Sequence, residues 1–291
     1  MRKYYNIAVP TYKRKNPKIF NMLKDENIKI TLFVREEELQ SGFYNDIKND
    51  RVEIISIGTD VIDLGDTRQR ILQYYIDNNI KYCIMFDDVI ENIYDTSDQT
   101  KTISQCIEEC VNRLENDELK DLCIFYQFHR ENLKRCISDK NNKKYFICCP
   151  FQALIINTEI AKKYNIKYHT FSKIGAAEDE AIFADSLKAG LITCGNTKIC
   201  IEGKMPCVKS DGGTHVNEND TEYKADYVQG LLDKYIGPMY GVYCTKKYRS
   251  NIKCMYAFAN FDYDYFYSVL IEQRDKNKKI IDSKFKITYG E

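Results

Sequence analysis

The sequence predicts an α/β fold, a doubly wound and mostly parallel central sheet flanked by helices, and three observations carry that expectation. Short apolar runs alternate with amphipathic stretches over roughly the first 95 residues, the pattern of strands and crossover helices. The run Tyr82-Cys83-Ile84-Met85-Phe86 stops abruptly at Asp87-Asp88, as a buried strand does when its carboxyl end leaves the core. An acidic triplet, Glu178-Asp179-Glu180, precedes a later amphipathic stretch. Open α/β sheets bind ligands at the carboxyl ends of their strands, so Asp87 and Asp88 are the first candidates for a site.

Taken in order, Asn6 to Pro10 reads as a strand stopped by proline, followed by the polar loop Thr11 to Lys15. Asn16-Pro17 has the signature of a helix start, and Ile19, Phe20 and Leu23 give that helix an apolar face. Strands are expected over Ile28 to Val34 and Val52 to Ile57, with Arg35 to Glu38 as the charged end of the former. Asp66 is expected to cap a helix from Thr67 to Asn78, with Arg68 in its first turn. Ile103, Ile107, Val111 and Leu114 recur at helical spacing within Thr102 to Asn116. Further strands are expected over Leu122 to Phe128, Tyr145 to Asn157 and Leu191 to Ile201, and helices from Thr158 to Lys163, Ala181 to Ala189 and Thr221 to Lys234. Gly190 marks the end of the second of these helices.

Composition narrows the function classes. Lys plus Arg and Asp plus Glu both number 43, so no global basic field advertises a nucleic-acid partner. No apolar run reaches the ~18 residues of a membrane helix, and the first residues lack a signal-peptide core, so a cytoplasmic protein without a membrane partner is expected. The 12 cysteines fall mostly in apolar runs and form no CxxC pair, which reads as reduced core residues rather than disulfides or zinc ligands. Two adjacent carboxylates repel unless a cation neutralises them, and beside a diphosphate that cation is usually magnesium or manganese. One aspartate capping a turn while the other is solvated is the structural alternative.

In this order the pieces IAVPTYKR (7–14), GDTRQR (65–70), FDDV (86–89), AEDEAIFADSLKAG (177–190) and SDGGTH (210–215) resemble the GT-A fold of nucleotide-sugar glycosyltransferases. Within that fold they look most like the TET-associated glycosyltransferases of phages and some eukaryotes. The resemblance covers roughly residues 5–235. It implies a GT-A-like domain over residues 1–236, with an aromatic-rich C-terminal extension, 237–291, packed on it.

The resemblance further implies that Asp88, with Asp87, anchors a divalent cation, Mn or Mg, and that His215 completes its shell. The donor, a nucleotide-diphosphate sugar with UDP expected, would be held by Pro10, Thr11, Tyr12, Arg14, Arg68, Asp87 and the flexible Gly212-Gly213. Asp179, with Glu178 as second choice, would deprotonate the acceptor hydroxyl in an inverting displacement. Where the family carries DxD or three aspartates, Val89 takes the third place here. The acceptor that the resemblance implies is a hydroxymethylated pyrimidine in DNA, in the host cytoplasm if the chain is phage-encoded. Neutral net charge then requires Lys13, Arg14, Lys15, Lys134, Arg135, Lys246, Lys247 and Arg249 to share a face. A glycan or protein acceptor, and a non-catalytic nucleotide-binding protein, remain open, and His129 and His169 carry no assignment.

Overall fold

The computed structural model describes residues 5–117, 120–130, 145–146, 152–170 and 178–203. β1 (Asn6–Pro10), α1 (Lys18–Leu23), β2 (Lys29–Val34), α2 (Glu36–Gln40), β3 (Val52–Ser56), α3 (Leu64–Asp77) and β4 (Tyr82–Phe86) alternate strand with helix, and only α2, where the charged end of a strand was expected, is an addition to the expected order. β5 (Ile90–Asp95), α4 (Ile103–Asn116), β6 (Cys123–Arg130), β7 (Tyr145–Phe146), β8 (Ala153–Asn157), α5 (Thr158–Tyr164), α6 (Glu178–Lys188) and β9 (Ile192–Gly203) complete the described chain. Among the described residues these strands form one sheet of nine, ordered β3-β2-β1-β4-β8-β6-β9-β5, with β7 also paired to β9.

The α/β class is as expected, and the run β3-β2-β1-β4 is parallel throughout. Beyond β4 the sheet is mixed: β8 runs antiparallel to β4 and β6, β6 parallel to β9, and β5 and β7 antiparallel to β9. Side chains alternate between two cores, as the period of a strand requires. Ile7, Val9, Ile84 and Phe86 join α1 and α4 residues such as Ile19, Leu23, Ile107 and Val111 on one face. Ala8, Cys83 and Met85 join Ile71, Leu72 and Tyr75 of α3 and Ile160 and Ala161 of α5 on the other. Helices on both faces bury the sheet, and Cys83, Cys123, Cys194 and Cys200 in its strands and Cys106 and Cys110 in α4 are buried cysteines outside any disulfide among the described residues.

Several boundaries move for local reasons. Asp63, not Asp66, caps α3 by accepting the Asp66 amide at 2.9 Å, which puts Asp66 in the first turn, paired to Arg70. Thr102 and Gln105 form the capping box of α4, and Asn157 caps α5. The acidic triplet lies inside α6, which begins at Glu178 rather than Ala181. Gly190, at φ 70°, adopts the left-handed conformation that ends the helix, as its position led one to expect. β5 was not expected. Its polar Glu91, Asn92 and Asp95 hide the run, and its partner β9 is remote in sequence. No helix among the described residues is long and apolar enough to cross a membrane. The expected Thr221 to Lys234 helix, the boundary at residue 236 and the aromatic extension lie outside the described residues.

Candidate active site

β1 and β4 are parallel neighbours, so the chain leaves both at the same edge of the sheet and the loop after Pro10 meets the turn after Phe86. That turn is held on three sides. The Asp87 amide donates to the Gln152 carbonyl at 2.6 Å, the Ile90 amide to the Asp87 carbonyl at 3.2 Å, and the Lys18 amide to the Asp88 carbonyl at 2.9 Å. Asp88 is only 7% exposed. Its Oδ2 accepts from Thr11 Oγ1 and from Arg14 Nε, each at 2.8 Å. Burial raises the Asp88 carboxyl above its ordinary range, Arg14 and Thr11 pull it back, and Asp87 pushes it up again.

Arg68, 3% exposed, joins the two acidic motifs. Nη2 donates to Asp87 Oδ1 at 3.0 Å, and Nη1 donates to Glu178 Oε1 at 3.0 Å and to Asp179 Oδ1. Burial works against its charge, but Asp179, Asp87 and Glu178 outweigh that and hold the guanidinium well above its ordinary value. The same burial, with Asp179 beside it, pushes the Glu178 carboxyl up to about 8 against the pull of Arg68. Burial also raises Asp179 against the attraction of Arg68. The Asp179 side chain is 15% exposed and that of Glu178 8%, so Asp179 is the more open of the two.

The approach that makes this bridge possible depends on residues to which the sequence reading gave no role. A Cβ on Gly65 would lie 2.0 Å from the His169 carbonyl oxygen and 3.0 Å from Glu178 Cβ, so only glycine lets the start of α3 come this close to α6. The segment before α6 is tied to both helices: the Tyr168 amide donates to Gln69 Oε1 at 2.8 Å, and His169 Nε2 lies 2.5 Å from Asp185 Oδ2. The Tyr168 ring, 6.0 Å from the Arg68 guanidinium carbon, walls the bridge. Gly65 stood in GDTRQR as a motif residue; Tyr168 gave no signal, because its neighbours in space are remote in sequence.

Thr11, Arg14, Arg68, Asp87, Asp88, Glu178 and Asp179 therefore form one connected cluster. Pro10 ends β1 at its edge, and the Tyr12 ring carries the Arg35 guanidinium at 4.2 Å and the Lys13 ammonium at 5.0 Å. Both terminal nitrogens of Arg68 are on carboxylates. Its Nε is buried with no partner among the described residues. Gly212, Gly213, His215 and the basic residues at 134, 135, 246, 247 and 249 lie outside the described residues. Among the described residues no three His, Cys, Asp or Glu side chains converge as a complete metal shell. Asp87 and Asp88 are the carboxylates that would hold a divalent cation here, in competition with Arg68, Arg14 and Thr11, which already pair with them.

The fold and the cluster define an α/β protein with an arginine-bridged acidic site at the carboxyl edge of its parallel strands. No family model and no curated protein matches the chain. Among solved structures it is similar to GalNAc-T7 crystallised with UDP, GalNAc and Mn2+, at 10% identity and a TM-score of 0.49, over 90% of this chain and 57% of that one. The chain thus spans little more than half the length of that structure. It is also similar to A197 from STIV, at 10% identity and a TM-score of 0.39, over 70% of this chain and 86% of that one. Neither similarity bears on activity.

Proposed function

We propose that the chain is a glycosyltransferase that moves a sugar from a nucleotide-diphosphate sugar, UDP-linked by expectation, to a hydroxyl acceptor. The observation that supports this reading is Arg68, which holds Asp87 at the end of β4 and Glu178 and Asp179 at the start of α6 on one guanidinium. The carboxylate at the end of β4 and the two at the start of α6 are thereby held on one side chain.

In this reading the nucleoside lies against the Pro10 to Arg14 loop, with Tyr12 as ring contact, while Arg14 is the cationic group of that loop offered to the diphosphate. Asp88 and Asp87 would hold a divalent cation, which when bound neutralises charge on the departing diphosphate. Asp179, the more open carboxylate, takes the proton of the acceptor hydroxyl as its oxygen bonds to the anomeric carbon and the bond to the diphosphate breaks. Glu178, whose carboxyl burial and Asp179 push up to about 8, shares the Arg68 guanidinium with it. The acceptor we favour is a hydroxymethylated pyrimidine in DNA, which rests on the motif resemblance alone.

A second reading, nucleotide binding without turnover, is favoured by the pairing of Asp87 with Arg68 and of Asp88 with Arg14, which compensates both charges from within the protein. Mass spectrometry separates the two after incubation with UDP- and GDP-sugars, manganese, and hydroxymethylated DNA, plain DNA, glycan or peptide acceptors. A hexose or pentose mass added only to hydroxymethylated DNA supports the full proposal. Addition only to a glycan or peptide keeps the activity and replaces the acceptor. Nucleotide binding with no transfer to any acceptor supports the second reading.

A further inference from the structure

Beside the acidic cluster lies a buried carboxylate that the proposed chemistry does not use. Glu38 of α2 is 4% exposed, and both its oxygens accept hydrogen bonds. Oε1 accepts from the Lys13 amide at 2.6 Å and from the Tyr44 hydroxyl at 3.0 Å; Oε2 accepts from the Arg35 amide at 3.2 Å. The Tyr44 oxygen accepts in turn from the Arg14 amide at 3.4 Å. Burial, and then the Glu38 carboxylate, keep the Tyr44 phenol above its ordinary value against the opposing hydrogen bonds, so it remains protonated and able to donate.

Of the three backbone amides bound here, those of Lys13 and Arg14 are consecutive, and Lys13 is in an unfavourable conformation. Lys13 has φ 52°, the left-handed region that a residue with a long side chain enters only when something holds it there. The next residue, Arg14, leaves that turn with Nε on Asp88. We propose that Glu38, acting with Tyr44, is a positioning residue: its carboxylate holds the left-handed turn at Lys13 and thereby delivers Arg14 to Asp88. Its bearing on nucleotide affinity rests on the donor role proposed above for the loop.

The expectation is local. Replacing Glu38→Leu keeps roughly the length of the side chain but removes both acceptor oxygens, whereas Glu38→Gln could turn its carbonyl to Lys13 and Tyr44 and lose only the Arg35 amide. Loss of a hydrogen bond to a charged group in Glu38→Leu should raise amide exchange at Lys13 and Arg14 about tenfold to a hundredfold, with β1 and β4 amides unchanged. Tyr44→Phe, which retains the carboxylate, should raise exchange at Arg14 with a smaller rise at Lys13. UDP affinity, read by calorimetry with UDP alone, should fall about tenfold in Glu38→Leu, as expected for one lost hydrogen bond to a charged group. The double variant Glu38→Leu, Lys13→Gly should recover most of it, because glycine adopts the left-handed turn unaided. A side chain that merely stabilised the fold would not be rescued at this position. Unchanged exchange at Lys13 and Arg14 in Glu38→Leu overturns the clamp. Raised exchange with unchanged UDP affinity overturns its link to binding. If the wild-type protein binds neither UDP nor GDP, the donor reading fails, while the exchange measurements still decide the clamp.

Discussion

Arg68 is the residue whose loss leaves the most charge uncompensated. Asp87, Glu178 and Asp179 converge on it, and Arg68→Met would leave these carboxylates facing one another in a buried setting. Breaking a buried ion pair from one side costs about 3–5 kcal/mol. Urea unfolding at alkaline pH should show a loss of that order, diminishing as pH falls and the carboxylates protonate; an Arg68→Met protein of wild-type stability would remove the bridge as a structural element. Glu178 gives a second test. Its carboxyl is raised from the usual 4.5 to about 8, so the folded state binds more protons than the unfolded state between those values. The stability it contributes is complete below about 4.5 and is lost as pH rises through about 8. Glu178→Gln cannot titrate, so melting curves across that window should show the variant gaining on wild type as pH rises. Parallel curves would mean that Glu178 is ionised throughout. For catalysis, Asp179→Asn should lower transfer about a hundredfold to ten-thousandfold with donor affinity little changed, measured by separate transfer and binding assays.

At the scale of elements, the site depends on how closely α3 approaches α6. Gly65→Ala would drive a Cβ to 2.0 Å from the His169 carbonyl oxygen, a backbone atom that cannot swing aside. Overpacking of this kind costs about 1–3 kcal/mol. It should also shift Arg68 off Glu178, so activity should fall further than stability alone explains. A Gly65→Ala protein with wild-type melting temperature and activity would show that the approach is not needed. Helix capping is a milder case: Thr102 accepts the Gln105 amide in the capping box of α4, on the core face away from α3, and Thr102→Ala should cost about 1 kcal/mol without touching transfer.

Across the whole molecule, Arg68 couples two halves of the chain that local sequence keeps apart. Asp87 follows the parallel run of the sheet, whereas Asp179 follows β8 and α5, and the two meet on this guanidinium. The changes Asp87→Asn and Asp179→Asn should therefore be non-additive, with a coupling of about 0.5–3 kcal/mol in a double-mutant cycle read by denaturant unfolding. Additive effects would mean that the guanidinium serves each carboxylate independently.

Periodicity is local, and what depended on it was legible. The strands β1 to β4, the helices α3 and α4, the left-handed stop at Gly190 and the emergence of Asp87 and Asp88 at a strand end all followed from residue spacing and terminal chemistry. Motif order also placed Thr11, Arg14, Arg68 and the α6 carboxylates among the candidates before any geometry was known. Only the tertiary structure decided what each of them touches. Arg68 pairs with residues 110 and 111 positions away, a separation at which no local pattern operates. Glu38 stands in a row of three glutamates, and nothing in Glu36-Glu37-Glu38 tells which one turns inward. The edge strand β5 exists through its pairing with β9, as at Tyr94 and Cys200, rather than through its own polar sequence. Sequence determined which side chains were available at the carboxyl edge of the sheet; burial and long-range pairing, which belong to the packed chain, determined their partners and their charge.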